Sequence, residues 1–427
     1  MNVNRIYSIV ETGERGKIAV AERDILPGEL VVKEDQPLLC YTQEFLSQFT
    51  ADQGFGVILA SYSTFVSFLT PAEKDKVLTL FGPTKGFNAE SVRNAAAEMT
   101  LSIEGNRQLT EDELETFVKV AQIVRLNMFE TGDGDHALYE ELTRFSHSCR
   151  SNCMYSIRGK VLYCYAREFI KTGEELTISY VAERDIQPIH VRRNRYLQVK
   201  DFTCHCPRCD ALGDDTRQFD CFHPKCKGVM MVCQPINQNT TFDPTLSYAG
   251  VEFVEPHLLP CTVCHRTAPA EYQNEMLALE ETLPNLALTY GQKLSDLLDA
   301  RKRLEYLEPL LKEIQALKIP RRHAGALPLL KVELRTKHAI YLNATFVYNT
   351  PQLGPVFAAA VLEYIAAIEN IFPYPDNFLS TELNLAVTMY IKMCVVPAFE
   401  PRAEKAFCLK ALRMHLLLRG RPPRAME

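Results

Sequence analysis

The chain has 427 residues, of which 47% are hydrophobic and 23% are charged. This balance excludes a disordered chain, and the length predicts two or three domains of roughly 100–200 residues each. The net charge of −6 argues against a protein that coats nucleic acid, because such binding needs clustered lysine and arginine. No signal peptide and no run of about 18 apolar residues is visible, so we expect an intracellular protein of the nucleus, the cytoplasm or both.

Strand and helix patterns alternate in the first half of the chain. Short β-rich runs predict strands over residues 6–10, 17–21 and 30–39. Helical spacing predicts helices over residues 55–69, 89–103 and 111–129. Thr110 fits the N-cap of the last helix, because three acidic residues follow it. Strand patterns return over residues 161–166 and 175–180, on either side of a turn at Gly173.

A helical pattern covers the chain from about residue 270 to its end. Leucines recur so that they can line one face of successive helices: Leu277, Leu283, Leu286, Leu294, Leu297, Leu298, Leu304 and Leu307. Prolines from Pro309 to Pro401 divide the run into pieces about one helix long. The pattern predicts an antiparallel stack of helix pairs without a strict repeat.

The cysteines between residues 204 and 209 predict a zinc site. Fourteen cysteines in an intracellular chain are expected to be thiols and metal ligands rather than disulfides. Cys204, Cys206 and Cys209 place three thiols within six residues, and tetrahedral zinc needs a fourth ligand. Cys149 and Cys153 are the candidates for that ligand.

Two further cysteine pairs predict a second zinc site. Cys221 and Cys226 are separated by four residues, and Cys261 and Cys264 by two. Two close pairs joined by a loop form a zinc ribbon, which supplies all four ligands itself. The substitute ligands are His223 and Cys233. The cysteines without such spacing are expected in the core: Cys40, Cys164, Cys394 and Cys408.

Four segments, in order along the chain, resemble parts of a SET domain. They are residues 21–29, the run Ser-His-Ser-Cys-Arg-Ser-Asn-Cys at 146–153, the run Gly-Glu-Glu-Leu-Thr-Ile-Ser-Tyr at 173–180, and the cysteines at 204–209, which fit the post-SET zinc motif. The chain is most similar to the SMYD subgroup of protein-lysine methyltransferases but lacks their MYND module. In that subgroup the residue after the motif asparagine is a zinc ligand, so the resemblance selects Cys153 for the first site.

The resemblance implies an α+β fold. Its parts are a SET β-fold of small sheets of the pseudo-knot type, a helical insert, a zinc-binding post-SET region and an α-helical, TPR-like C-terminal domain. The implied domains are the SET N-terminal part (1–45), the helical insert (46–130), the SET C-terminal part (131–200), the post-SET and zinc-ribbon region (201–268) and the helical C-terminal domain (269–427).

The resemblance also implies a reaction, the transfer of a methyl group from S-adenosylmethionine to a neutral lysine of a histone or another protein. Such a transfer requires the sulfonium and the amine to be aligned. Tyr180 matches the catalytic tyrosine of the family. The residues implied to contact the cofactor are Gly16, Lys17, Asn127, Ser146, His147 and Phe202. Two zinc ions and S-adenosylmethionine are thus the expected cofactors.

Three positions depart from the family pattern. Ile18 stands where the Gly-x-Gly cofactor loop has its second glycine, although a shifted loop using Gly13 and Gly16 would partly restore it. Ser146 replaces an asparagine whose amide bonds the cofactor, at a cost of about 0.5–1.5 kcal/mol. Lys200 replaces a tyrosine of the lysine channel, and its charge would repel a substrate ammonium.

These departures leave two alternatives to an active enzyme. One is a catalytically impaired SET-fold scaffold or reader in a chromatin or regulatory complex. The other is a zinc-ribbon nucleic-acid binder, which the acidic balance disfavours despite local positive charge at 192–195 and 419–424. We expect a protein substrate or protein partners, chromatin subunits and histones among them, to bind through the C-terminal helices, and no membrane contact.

Overall fold

The structure is a computed structural model of the chain. It describes residues 5–13, 16–49, 53–82, 89–98, 109–131, 134–180, 187–200, 202–233, 256–299, 304–317, 319–348 and 354–371. The chain divides into two units: residues 1–180 with 193–204, and residues 181–192 with 205–427. No helix among the described residues has the length and apolar character that a membrane span needs.

The strands are short. They are β1 (Tyr7–Glu11), β2 (Lys17–Ala21), β3 (Leu30–Glu34), β4 (Leu39–Tyr41), β5 (Phe129–Glu130), β6 (His136–Leu138), β7 (Ser146–His147), β8 (Cys153–Arg158), β9 (Val161–Ala166), β10 (Thr177–Ile178), β11 (Gly213–Asp220) and β12 (Val229–Cys233).

The helices are α1 (Gln43–Leu46), α2 (Gln53–Phe68), α3 (Pro71–Leu78), α4 (Ala89–Glu98), α5 (Glu111–Asn127), α6 (Ile189–Lys200), α7 (Ala270–Asp299), α8 (Leu304–Ala316), α9 (Leu327–Tyr348) and α10 (Gly354–Ile371). Short 3-10 turns cover Leu142–Arg144 and Ala324–Ala326.

Small sheets form the centre of the first unit. β1 and β2 make an antiparallel hairpin, β9 lies between β3 and β8, and β6 lies between β4 and β5. β7 and β10 pair in parallel, with Ser146 opposite Thr177. Residues from several sheets share one core, in which Ala19, Leu162 and Ile178 are fully buried. The small sheets are therefore held together by common burial of their apolar faces.

Helices α2 to α5 form the predicted insert and have their own core. Thr110 caps α5, and Glu113 returns a hydrogen bond to its backbone, which completes a capping box. Phe117 and Val124 of α5 are fully buried against α2 and β4. The helix predicted over 111–129 ends at Asn127, because Phe129 pairs with Ala137 as a strand.

In the second unit, α7, α8 and α9 pack against one another. Leu294 of α7, Leu307 and Leu310 of α8 and Ile340 of α9 share an apolar core. Pro309 lies inside α8, so the prediction that it divides two helices is wrong. Its flanking leucines, Leu307 and Leu310, are buried, and this packing holds the helix despite the lost backbone hydrogen bond.

Other predictions had mixed outcomes. The strands at 17–21 and 161–166 are confirmed, whereas 30–39 is interrupted between β3 and β4. Leu298 is 48% exposed, so it was wrongly assigned to the apolar face. The prolines beyond residue 371 and the cysteines at 394 and 408 lie outside the described residues. The pseudo-knot and the TPR-like character of the C-terminal helices stay predictions.

Candidate functional site

The turn between β1 and β2 brings two glycines to one edge of the first unit. Gly13 and Gly16 have φ values of +63° and +68°, which favour glycine. Thr12 closes the turn, since both its backbone N–H and its hydroxyl donate to the Gly16 carbonyl, at 2.9 and 2.7 Å. Ile18 lies opposite Val10 in the hairpin and is 7% exposed. The turn thus has the shifted form with Gly13 and Gly16, and Ile18 is an ordinary strand residue.

A cavity of about 300 Å³ opens beside this turn. Its volume reaches the range of small-molecule sites, which runs from about 300 to 1,000 Å³. The lining residues are Glu11, Gly16, Lys17, Thr79, Leu80, Phe81, Gly82, Lys119, Thr143 and Arg144. Three of these side chains are cationic and one is anionic, so the cavity suits a ligand with a carboxylate.

Phe81 provides the aromatic wall of the cavity and is 51% exposed. A Cβ at Gly16 would lie 3.2 Å from its ring, so glycine lets the turn approach closely. Asn127 donates from Nδ2 to the carbonyls of Phe81 and Ile123, both at 2.8 Å. Asn127 therefore holds the residue that lines the cavity. Sequence patterns did not indicate Phe81, because it follows α3, a helix without a strong apolar stripe.

A second group of predicted residues lies around β7 and β10. The Asn152 side chain holds the backbone that precedes Tyr180. Its Oδ1 accepts from the Thr177 N–H, and its Nδ2 donates to the Glu175 carbonyl, both at 2.8 Å. The Ser148 N–H donates to the Ile178 carbonyl at 3.1 Å. These bonds hold the run that leads into Tyr180 against the run that contains Ser146.

Four rings form one cluster, which we call the aromatic group: His147, Tyr180, Tyr196 and Phe202. The ring centroid of His147 lies 5.3 Å from that of Tyr180, 4.0 Å from that of Tyr196 and 5.8 Å from that of Phe202. Tyr180 and Phe202 meet edge to face at 6.2 Å. Such ring arrangements favour bound alkylammonium groups. Tyr196, which is fully buried, was missed by sequence reasoning.

Hydrogen bonds fix both Tyr180 and His147. The Tyr180 hydroxyl donates to the Phe145 carbonyl at 2.9 Å. Burial and the nearby Glu175 carboxylate raise the pKa of Tyr180 well above its usual value. His147 Nδ1 accepts from the Tyr180 N–H at 3.2 Å, so in the neutral ring Nε2 carries the proton and faces the Cys149 sulfur at 3.3 Å. Tyr180 is therefore a neutral hydroxyl in a fixed orientation.

Lys200 extends from the end of α6 to Tyr180. Its Nζ lies 5.4 Å from the centroid of the Tyr180 ring and donates to the Leu126 carbonyl at 2.5 Å. Burial lowers the pKa of Lys200 to about 8. The structure thus places an amine at the position where the resemblance implies an aromatic wall.

The first cysteine cluster contains the three predicted cysteines at 204–209 but a different fourth cysteine. The sulfurs of Cys149, Cys204, Cys206 and Cys209 all lie within 4.8 Å of one another, a spacing that can hold a metal ion. Cys153 is not in this cluster; it is a core residue of β8 and contacts the Cys164 thiol. The assignment of Cys153 as the fourth ligand was wrong, because a strand residue that faces the core cannot also face the cluster.

The other cluster contains all four predicted ribbon cysteines. Sulfurs of Cys221 and Cys264 lie 3.6 Å apart, as do those of Cys226 and Cys261, and the four can hold a metal ion. Gly228 is a structural requirement, since a Cβ there would lie 2.4 Å from the Cys261 sulfur. Donor set and spacing both fit zinc, whose structural sites are tetrahedral and rich in thiolate.

Two arginines next to the first cluster, Arg192 and Arg193, hydrogen-bond to its segment. Arg192 is fully buried, and its guanidinium donates to the Gln187 carbonyl at 2.6 Å and to the Cys209 sulfur at 3.6 Å. Arg193 donates to the Cys204 carbonyl at 3.1 Å. Arg192 therefore points into the fold, whereas Arg195 of the same run is exposed, and the basic tail at 419–424 lies outside the described residues.

Comparison with known proteins finds a family match in the first half of the chain. Residues 16–181 match the family described as SET domain. The chain is 38% identical over 72 residues to the histone-lysine N-methyltransferase SET5 of Eremothecium gossypii, which covers 17% of this chain and 14% of that protein. It is 33% identical over 111 residues to the histone-lysine N-methyltransferase SMYD3 of Mus musculus, which covers 24% of each. The chain thus spans less than a quarter of each of these two relatives.

A solved structure, that of Rubisco LSMT bound to AdoMet, aligns with 95% of this chain and 92% of its own. The sequence identity is 13% and the TM-score is 0.31, which is too low to support a conclusion.

Proposed function

We propose that this chain, in which residues 16–181 form a SET domain with relatives among the SMYD and SET5 proteins, is a protein-lysine N-methyltransferase that uses S-adenosylmethionine. One observation carries the proposal. The segment 144–147 supplies Arg144 to the cavity and His147 to the aromatic group, so one short run serves both a candidate cofactor site and a candidate lysine site.

The cavity fits the cofactor by its chemistry. When bound, S-adenosylmethionine supplies an electrophilic methyl group on a sulfonium. Lys17 and Arg144 can pair with its carboxylate, and the Phe81 ring offers a face for its base. The Gly16 backbone can approach the ligand closely because no Cβ stands in the way.

The aromatic group would bind the acceptor lysine and exclude water from it. Tyr180 does not serve as a base, because its raised pKa keeps the hydroxyl protonated and its proton is donated to the Phe145 carbonyl. Its hydroxyl oxygen keeps lone pairs that can orient the reacting groups. The acceptor amine therefore loses its proton to solvent before the transfer, and the rings then hold the neutral amine.

The test is cofactor binding followed by transfer. Calorimetry of the purified chain should show binding of S-adenosylmethionine, and labelled cofactor should methylate histones or proteins of a cell extract. Tyr180→Phe should reduce the transfer by at least about 10²-fold while cofactor binding persists. Tyr306→Phe, at an exposed position of α8, is the matched control. Absence of binding at millimolar cofactor would favour the catalytically impaired scaffold instead.

The same proposal includes two structural zinc ions, one in each cysteine cluster. Metal analysis of the purified chain should then find about two zinc ions per chain, each held by four thiolates. We further propose that protein partners bind through the C-terminal helices. Deletion of these helices should release partners that co-purify with the full chain, and retention of every partner would refute this part.

A further inference from the structure

We propose that Lys200 is itself a methyl acceptor, so that the chain methylates its own lysine in the site built around Tyr180. The inference rests on the proposed function and extends it to an internal substrate. Lys200 ends α6 two residues before Phe202, and its side chain reaches the Tyr180 ring of the aromatic group.

The position of the amine carries the inference. Nζ of Lys200 lies 5.4 Å from the centroid of the Tyr180 ring, beside the tyrosine that the proposed function places at the acceptor amine. An external lysine must enter from solution, whereas Lys200 is held at the site by the chain itself. Such tethering replaces a bimolecular encounter with an intramolecular one, which greatly raises the effective concentration.

The surroundings of the amine favour its reactive form. Nζ donates one hydrogen to the Leu126 carbonyl at 2.5 Å, and that bond leaves the lone pair of a neutral amine free. Burial lowers the pKa of Lys200 to about 8, so the neutral amine is well populated at mildly alkaline pH. An exposed lysine, with a pKa of about 10.4, is almost entirely protonated there.

The transfer balances in atoms and electrons. The lone pair of neutral Nζ forms the new N–C bond, and the C–S bond of S-adenosylmethionine breaks. Its electrons stay on sulfur, which becomes the neutral thioether of S-adenosylhomocysteine. Nζ then carries the positive charge, and loss of one proton to solvent regenerates a neutral secondary amine.

Mass spectrometry tests the inference directly. The full chain is incubated with S-adenosylmethionine, digested, and the peptide containing Lys200 is sequenced. We expect methyl groups on Lys200 and none on Lys171, an exposed lysine of the turn before β10. Lys200→Arg should remove the label, and Tyr180→Phe should reduce it by the same factor as transfer to histones. The labelled fraction should not depend on protein concentration, because donor site and acceptor share one chain.

A cofactor-free measurement adds an independent readout. Competitive acetylation with trace acetic anhydride across a pH series reports the midpoint of each amine. Lys200 should titrate well below an ordinary lysine, whose pKa is about 10.4, in the chain without cofactor. If the Lys200 amine titrates as an ordinary lysine does, its neutral form is not favoured and the inference is wrong.

The outcomes separate the two proposals. A chain that binds cofactor and methylates histones but leaves Lys200 unmodified refutes the inference and keeps the proposed function. A chain that binds no cofactor refutes the proposed function and the inference with it. Labelling of Lys200 that rises with protein concentration refutes the intramolecular transfer.

Discussion

Substitution of Cys149 and of Cys153, one at a time, tests which of the two is the fourth ligand of the first proposed zinc site. Cys149→Ala removes one of the four clustered sulfurs, whereas Cys153→Ala alters a buried strand residue outside the cluster. Structural zinc binds with about 10–16 kcal/mol, so one ligand in four contributes about 2.5–4 kcal/mol. Since each 1.4 kcal/mol is tenfold, Cys149→Ala should weaken this site by roughly 10²–10³-fold.

The assay is zinc release to a coloured chelator of graded affinity. The unaltered chain and Cys153→Ala should each retain about two zinc ions at a chelator strength that leaves Cys149→Ala with about one. Cys153→Ala should instead lower the free energy of unfolding by about 1 kcal/mol through lost packing. Zinc loss from Cys153→Ala, with full retention in Cys149→Ala, would show that the ligand assignment from the structure is wrong.

Three further changes test other parts of the molecule. Gly228→Ala should release zinc from the ribbon, because the added methyl collides with the Cys261 sulfur; metal analysis checks this, and a full zinc content would contradict it. Glu280→Gln should lower the free energy of unfolding by about 3 kcal/mol near neutral pH, because it leaves the Arg217 guanidinium without its bidentate partner. Burial alone would raise the pKa of Glu280, but hydrogen bonds from His323 and Arg217 outweigh it and lower the pKa to about 2. The stabilisation is therefore complete above pH 4.5 and is lost as the pH falls towards 2, so denaturant unfolding of the two proteins should converge there. Lys200→Tyr, which introduces the aromatic residue that the resemblance implies, should raise kcat/KM for external lysine substrates by about tenfold, since a competing cation is removed; unchanged steady-state kinetics would argue against a role of Lys200 in acceptor binding.

Local sequence patterns predicted many of the helices and strands. The composition of the candidate site depends on tertiary packing, which those patterns do not show. The Thr110 cap and the β1–β2 hairpin follow from neighbouring residues, so the sequence shows them. The cavity instead joins Gly16, Phe81 and Arg144, which are far apart in sequence and which no periodicity connects. Lys17 was found only because the family places a cofactor loop there.

The fourth cysteine of the first cluster could not be chosen from motif spacing alone. Cys149 and Cys153 are both close enough to the aligned motif to be chosen, and the family pattern favours Cys153. Both side chains are fully buried, so the choice depends on what each one contacts. Cys153, in β8, pairs with Ala166 and packs in the strand core, whereas the Cys149 sulfur lies 3.8 Å from the Cys204 sulfur. A short run such as 146–153 does not reveal where its strand begins.

The parallel pairing of β7 with β10 has a consequence for how the chain acquires its structure. Parallel neighbours need a long connection between them, and the β8–β9 hairpin occupies that stretch. Contacts between distant segments pay loop-closure entropy before they return any stability, so they form late. Tyr180 lies just beyond β10, and Phe202 follows only after α6. We therefore expect the local helices and hairpins to form before Tyr180 is in place, and destabilising changes far from Tyr180 to reduce the fraction of chains that complete this region.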